Sequence, residues 1–435
     1  MRFDPMFIVY ALPLLIVWVI YLRRRRRMEA ESLAKHAAAA EAGLLEPASL
    51  HPEIDPGLCL GCGACVNACP EGDILGLIDG KAQLVEPSEC IGHGACRASC
   101  PADAITLVFG TAKRGVDIPH VGSDFQTNVP GIFIAGELGG MGLIRNAIEQ
   151  GRQAMESVRK LNDLGKADRY DVVIVGAGPS GFSASLAAVQ HKLRYVTVEQ
   201  DSFGGTVAHF PRGKVVMTAP WTLALIGKVN FREISKEKLL EFWNGILKKT
   251  PLKINYGENV SAITRVGDNF EVKTSKTVYP TRAVLLTIGR RGTPRKLNVP
   301  GEDLNKVVYR LIDPEQYRGQ HVLVVGGGDS ALEAAHTIAD QPGTTVTLSH
   351  RSEGFSRAKM KNREKVDEAE KSGRLKVVLQ SEIKRIGPDD VEIAQKGQAP
   401  LTIPNNAVII CAGGILPNAF LKSVGIEVET KYGTA

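Results

Sequence analysis

"YDVVIVGAGPSGFSASLAA" (residues 170–188) sets an apolar strand directly before Gly176-x-Gly178-x-x-Gly181 and a helix of small residues. Glycines at these places permit a tight turn and let backbone N–H groups approach a pyrophosphate at the helix N-terminus. Glu199 closes the next strand, "RYVTVEQ" (194–200), about twenty residues on, where a carboxylate can take ribose hydroxyls. "QHVLVVGGGDSALEAAHTIA" (320–339) repeats the theme with Gly326, Gly328 and Ala331, and Asp329 and Ser330 open its helix. Its following strand, "TVTLSH" (345–350), ends in His350 and Arg351, with Arg357 and Lys359 just beyond. Cations there pair with a 2′-phosphate, whereas a carboxylate would repel it, so NADPH is expected rather than NADH. Two such patterns predict two doubly wound α/β dinucleotide-binding domains, one for a flavin and one for a nicotinamide.

Upstream, seven of the eight cysteines lie between Cys59 and Cys100. "CLGCGACVNACP" places Cys59, Cys62, Cys65 and Cys69 in the spacing C-x2-C-x2-C-x3-C-P, and "CIGHGACRASCP" repeats it with Cys90, His93, Cys96 and Cys100. Three thiolates so spaced wrap one iron–sulfur cluster while the fourth reaches another. A zinc site would show two separated pairs of ligands instead. His93 breaks the pattern. Either its imidazole binds the fourth iron of a 4Fe-4S cluster, or that corner is empty and the cluster is 3Fe-4S. Cysteines grouped for metal also argue for a reducing compartment.

The 435 residues carry a net charge of +6, but Arg23 to Arg27 supply five of those charges. The remainder is nearly neutral and no nucleic-acid partner is implied. "FIVYALPLLIVWVIYL" (7–22) precedes that arginine run without a cleavage site, so the pattern predicts a single-pass inner-membrane anchor with the catalytic domains cytoplasmic. "MEAESLAKHAAAAEAGLLEPASL" (28–50) reads as a solvated helical spacer.

Residues 50–108 resemble the bacterial two-cluster ferredoxins, a small α+β fold. The resemblance implies cross-ligation, with Cys59, Cys62, Cys65 and Cys100 on one cluster and Cys90, His93, Cys96 and Cys69 on the other. Residues 111–435 resemble the two-dinucleotide flavoproteins of the thioredoxin reductase type. "SFGGTVAHFPRGKVVMTAP" (202–220) and "SKEKLLEFW" (235–243) are similar to the bacillithiol disulfide reductase-like branch. In that family the first glycine turn holds FAD, which implies that role for Gly176, Gly178, Gly181, Glu199, Gly205 and Thr206. "VLLTIGRRGTPRKLNVPGE" (284–302) resembles the crossover into the nicotinamide domain, and "AVIICAGGILPN" (407–418) the return. The family's closing flavin contact, a Gly-Asp at the ribitol, is matched by Gly136-Glu137 in "TNVPGIFIAGELGG" (127–140). That stretch precedes the first glycine turn, and "FGTA" (109–112) and "YGTA" (432–435) repeat at the seam. A circularly permuted flavoprotein is therefore expected.

The expected organisation is an anchor over 5–22, a stalk over 28–50 and a ferredoxin domain over 51–108. The closing segment of the FAD domain follows over 111–165, the FAD domain over 170–295, the NADPH domain over 305–415 and the return over 416–435. Thioredoxin reductases need a Cys-x-x-Cys pair in the nicotinamide domain, yet the one cysteine after Cys100 is Cys411. The expected activity is an NADPH-dependent exchange of electrons between FAD and two clusters, with no general base. The physiological partner is an unidentified protein carrier or a quinone, and the enzyme is a candidate homodimer. Reduction of a low-molecular-weight disulfide and a membrane-tethered redox sensor are the alternatives.

Overall fold

The computed structural model describes all residues except 1–4, 42–44, 48, 49, 71, 73, 91, 93, 113, 114, 141, 219, 232, 291–293, 357, 434 and 435. His93 and Arg357 thus lie outside the described residues. The chain divides into two compact units, residues 1–115 with 432–435, and residues 116–431.

The first unit opens with helix α1 (Pro5–Glu41), followed by β1 (His51–Ile54), α2 (Ala64–Ala68), β2 (Leu75–Ile78), β3 (Lys81–Leu84), α3 (Ala95–Ala98) and β4 (Ile105–Val108). β1 pairs antiparallel with β4, and β2 with β3. A small core of Leu75, Ala82, Ala104 and Ile105 forms around Cys59, Cys65 and Cys96.

Two expectations for α1 are corrected. No helix among the described residues is long and apolar enough to cross a membrane. The anchor, and the inner-membrane placement built on it, are withdrawn. Nor is the stretch after the arginines a free spacer. It continues the same helix and packs on β2, where a Cβ at Gly76 would fall 2.4 Å from Ser32 Oγ. Glu29 Oε1 accepts the Asp79 N–H at 2.8 Å at the neighbouring turn. Sequence alone saw the alanines but not the glycine that receives them.

The second unit begins with β5 (Val116–Pro119), β6 (Ile132–Ile134), α4 (Ile144–Val158), β7 (Tyr170–Val175), α5 (Pro179–Gln190) and β8 (Tyr195–Glu199). Short strands β9 (Val215–Met217), β10 (Trp221–Leu223), β11 (Gly227–Val229) and β12 (Glu233–Ser235) lead to α6 (Lys236–Lys249). Then come β13 (Ile254–Tyr256), β14 (Val260–Val266), β15 (Asn269–Thr274) and β16 (Val278–Leu286). The main sheet has the order β13-β8-β7-β16-β15-β14. One edge of the long β16 pairs with β7; the other pairs antiparallel with β15 and then, over Val284 to Leu286, parallel with β6. A strand that precedes the first glycine turn in sequence thus completes the sheet that carries it. Val172 and Ile174 face one side of this sheet and Val173 and Val175 the other, all buried, as a parallel strand covered on both faces requires.

Helix α4 buries Ala147, Ile148, Gly151, Ala154, Met155 and Val158, a stripe at the helical period. It lies against α5 so closely that a Cβ at Gly151 would fall 2.1 Å from Ser180 O.

The nicotinamide half comprises β17 (Val307–Val308), β18 (His321–Val325), α7 (Asp329–Ala339), β19 (Thr345–Ser349), α8 (Met360–Lys371), β20 (Leu375–Val378), β21 (Ser381–Ile386), β22 (Asp390–Gln395), β23 (Leu401–Pro404) and β24 (Ala407–Ile410). Its parallel sheet runs β17-β24-β18-β19-β20, with β21-β22-β23 a separate antiparallel layer. After α9 (Asn418–Ser423), β25 (Val428–Lys431) pairs antiparallel with β5, Lys431 opposite Val116.

Candidate functional site

In the first unit the repeated cysteine motifs build repeated geometry. Gly61 and Gly92 have φ of 65° and 73°, and Gly63 and Gly94, which open α2 and α3, have 72° and 78°. An L-residue is strained there, and the chain is also close. A Cβ at Gly61 would meet Gly80 O at 2.0 Å, and one at Gly92 would meet Leu50 O at 2.5 Å.

Cys59, Cys62, Cys65 and Cys100 line one pocket together with Ile54 and Ile105. No three His, Cys, Asp or Glu side chains among the described residues converge tightly enough to hold a single metal ion. A cluster carries its ligands at separate corners and so needs a wider ring of thiols around a void, which is the arrangement seen. Burial pushes the Cys65 thiol up, with Cys59 and Cys96 adding to the effect through charge. Burial does the same to Cys96, with Cys69 and Cys100 contributing. Such thiols stand in for the thiolates that iron would hold deprotonated. Cys59 Sγ accepts the Ala82 N–H at 3.4 Å, and Lys81 Nζ donates to Cys59 O at 2.8 Å. Neither partner was legible, because both come from a hairpin outside the motif.

In the second unit, Gly176 turns at φ 102°, and a Cβ at Gly181 would fall 1.9 Å from Gly176 O. Glu199 is buried, and its carboxylate accepts N–H bonds from Ala177 at 2.6 Å and Asp201 at 2.9 Å. That bracing fixes the acid beside the turn. Gly205 rests on it, since a Cβ there would come within 2.9 Å of Gly178 Cα, and Thr206 follows in the same short turn. Gly136, at φ 86°, reaches the start of α5 from the other side: its Cβ would lie 3.0 Å from Ser180 Cβ. Ser180 Oγ is buried with no hydrogen-bond partner at this helix N-terminus. An orphaned donor there, a Cβ-free turn and a braced acid fit an FAD pyrophosphate and ribose.

Glu137 lies beyond, with Oε2 3.9 Å from where a Gly289 Cβ would be. Arg290, which sequence reading passed over, donates to Asp117 O at 2.8 Å. Burial lowers its pKa while Glu137 and Asp117 oppose that shift, so the guanidinium sits in the field of Glu137.

At the second turn a Cβ at Gly326 would meet Cys411 O at 2.4 Å, and Gly328 opens α7. Asp329 Oδ1 accepts the Lys359 N–H at 2.8 Å and Asn362 Nδ2 at 2.7 Å, so this acid ties the start of α8 to the turn. Ser330 O accepts the Cys411 Sγ–H at 3.8 Å. The His350 ring covers Gly327, whose Cβ would fall 2.2 Å from His350 Cε1, and stacks on Phe355 at 5.5 Å. Arg351 is exposed at the end of the same strand.

Two glycine turns on separate parallel sheets, and a cavity ringed by four cysteines, define an oxidoreductase built from a two-dinucleotide flavoprotein and an iron–sulfur unit. The chain belongs to the pyridine nucleotide-disulphide oxidoreductase family, which matches residues 173–434, and carries a 4Fe-4S dicluster domain over residues 51–101. A ferredoxin–NADP reductase of Thermus thermophilus is 30% identical over 278 residues, covering 60% of this chain and 78% of that one. The bacilliredoxin reductase of Bacillus subtilis is 25% identical over 267 residues, covering 60% and 82%. The solved bacillithiol disulfide reductase of Staphylococcus aureus shares the fold, with a TM-score of 0.53 at 24% identity over 59% of this chain and 80% of that one. The protein is an NAD(P)H-dependent flavin oxidoreductase with an iron–sulfur ferredoxin domain.

Proposed function

We propose that the enzyme carries electrons between NADPH and a one-electron partner by way of FAD and the two clusters. One observation carries this reading. The second unit, which in thioredoxin reductases would hold a Cys-x-x-Cys pair, has Cys411 as its single cysteine, while eight ligand positions stand in the ferredoxin unit. Bound at the first turn, FAD would supply the conversion of a two-electron hydride into single electrons, which a nicotinamide and a cluster cannot exchange directly. Gly176, Gly178 and Gly181 give its pyrophosphate backbone donors, Glu199 is held to receive the ribose, and Gly136 with Glu137 closes the ribitol side. Gly326 and Gly328 serve the nicotinamide cofactor likewise, and Arg351 with His350 favours a 2′-phosphate; Arg357 belongs to that set by sequence. Cys59, Cys62, Cys65 and Cys100 hold one cluster. Cys69, Cys90, Cys96 and His93 hold the other, as a 4Fe-4S cluster with an imidazole corner or as a 3Fe-4S cluster. The partner beyond the clusters is a protein carrier or a quinone, and the names of the ferredoxin–NADP reductase relatives support the former.

Anaerobic mixing with NADPH tests this. Flavin absorbance should bleach and reduced-cluster signals should appear in electron paramagnetic resonance, with continued NADPH oxidation when a one-electron dye is added. Bleaching with clusters that stay oxidised would refute it. The disulfide reductase relatives favour a second reading, turnover of a low-molecular-weight disulfide, and NADPH oxidation driven by such a disulfide but by no one-electron dye would establish that instead.

A further inference from the structure

The two halves of the ferredoxin unit repeat one strand-pairing register. β3 pairs with β2 so that Lys81 faces Ile78 and Leu84 faces Leu75; β1 pairs with β4 so that His51 faces Val108 and Ile54 faces Ile105. The repeat therefore sets His51 on Lys81 and Pro52 on Ala82. The glycine contacts give the same correspondence independently: Gly61 abuts the carbonyl of Gly80 and Gly92 that of Leu50, each the residue immediately before its strand. Cys59 and Cys90 are the matching first cysteines of the two motifs.

At this matched position the halves differ in a backbone donor. Ala82 gives its N–H to Cys59 Sγ at 3.4 Å. Pro52 has no N–H to give. Both residues are buried; Ala82 turns its nitrogen to the cysteine loop, and a proline is tolerated at the matched place in β1 because that strand has a partner on one side only. On the Cys90 side the sulfur instead lies 3.9 Å from Leu50 O, which accepts from the thiol and would face a thiolate with its lone pairs. A donor to a ligand sulfur stabilises the reduced, more negative cluster and raises its potential. Lys81, a cation 2.8 Å from Cys59 O, acts in the same direction.

We propose that Pro52 and Ala82 set the two clusters apart electrochemically: Ala82 raises the cluster that Cys59 holds, and Pro52 withholds the equivalent hydrogen bond from the cluster that Cys90 holds. This rests on the dicluster assignment alone and not on the direction of flow, and iron analysis, at about seven or eight irons per chain, tests that assignment separately.

The measurement is a redox titration of the full-length holoprotein followed by electron paramagnetic resonance. The Cys90-side signal is identified as the one altered by His93→Cys. Pro52→Ala restores an N–H and should raise the midpoint of that signal by about 59 mV, a tenfold change in a one-electron equilibrium, leaving the other signal in place. Ala82→Pro should lower the other signal by a similar amount, and it decides the matter by itself if Pro52→Ala does not fold. Unmoved midpoints in the folded variants, a shift of opposite sign, or a shift in the wrong signal would overturn the assignment.

Discussion

Replacing Gly151 by alanine separates two accounts of the segment that precedes the first glycine turn. If α4 were a helix unconnected with the flavin sheet, alanine would stabilise it by about 1 kcal/mol through helix propensity. In the structure the new Cβ would lie 2.1 Å from Ser180 O, short of ordinary 3.4 Å contact by about 1.3 Å. The obstacle is backbone in the first turn of α5, so no side chain can rotate away. Overpacking of this kind costs about 1–3 kcal/mol, and a backbone obstacle puts the figure toward the upper end, leaving a net loss of about 2 kcal/mol after the propensity gain. The displaced turn is also the one that presents N–H groups to the pyrophosphate, so flavin affinity should fall with stability. Urea unfolding and titration of the apoprotein with FAD, followed by flavin fluorescence, read the two effects separately. Gly151→Ala with equal or greater stability and undiminished FAD affinity would show that α4 does not pack on the cofactor helix.

Further expectations concern single side chains. Arg351→Ala should raise the KM for NADPH about tenfold to a hundredfold, the loss of one charge-assisted contact of roughly 1.5–3 kcal/mol, while the KM for NADH stays nearly constant; equal effects on both would count against a 2′-phosphate site. His93→Ala should cost one iron and give the resonance of an oxidised three-iron centre, unless the wild type, isolated without air, already shows that signal. His336, buried on α7, has its pKa lowered by burial first and by Lys365 second. Its folded pKa lies below the ordinary 6.5 or so, so stability is retained above that value and lost as pH falls from there toward the depressed one. His336→Leu should flatten the decline in thermal midpoint between about pH 7 and pH 5; an unchanged slope would show that another group governs it.

Sequence made the two glycine turns and the cysteine repeats legible because each is a local demand of chain geometry. Gly176 must be glycine for its own φ of 102° and Gly181 for its approach to Gly176 O five residues earlier, and the C-x2-C spacing wraps a cluster by itself. Longer-range features gave weaker signals. The role of Gly151 depends on Ser180, and the cover of His350 over Gly327 depends on where β19 ends. Ala82 meets Cys59 only after β2 and β3 fold back, and its residue type says nothing of an N–H bond. The apolar run before Arg23 misled for a related reason: hydropathy was read without the rest of the helix, whose later turns carry Ser32 and Glu29 onto the ferredoxin hairpin. Gly136-Glu137 stands out by pattern, but Arg290 does not, since nothing in "TIGRRG" marks one arginine as half-buried beside an acid.

The pairing of β6 with β16 also fixes an order of events during synthesis. Ile132 meets Val284, about 150 residues later in the chain, and the Thr430 hydroxyl meets Asp117 Oδ1 across 313 residues. The ribosome therefore releases the dicluster domain, residues 51–101, first, then β6 and α4 with their apolar faces bare, and only much later the strands that cover them. Contacts so distant form slowly, and a nascent chain exposing Ile148 and Met155 in the interval is a target for chaperones. Slowing translation between residues 158 and 278 should lower the yield of flavin-loaded enzyme without lowering the yield of folded ferredoxin unit.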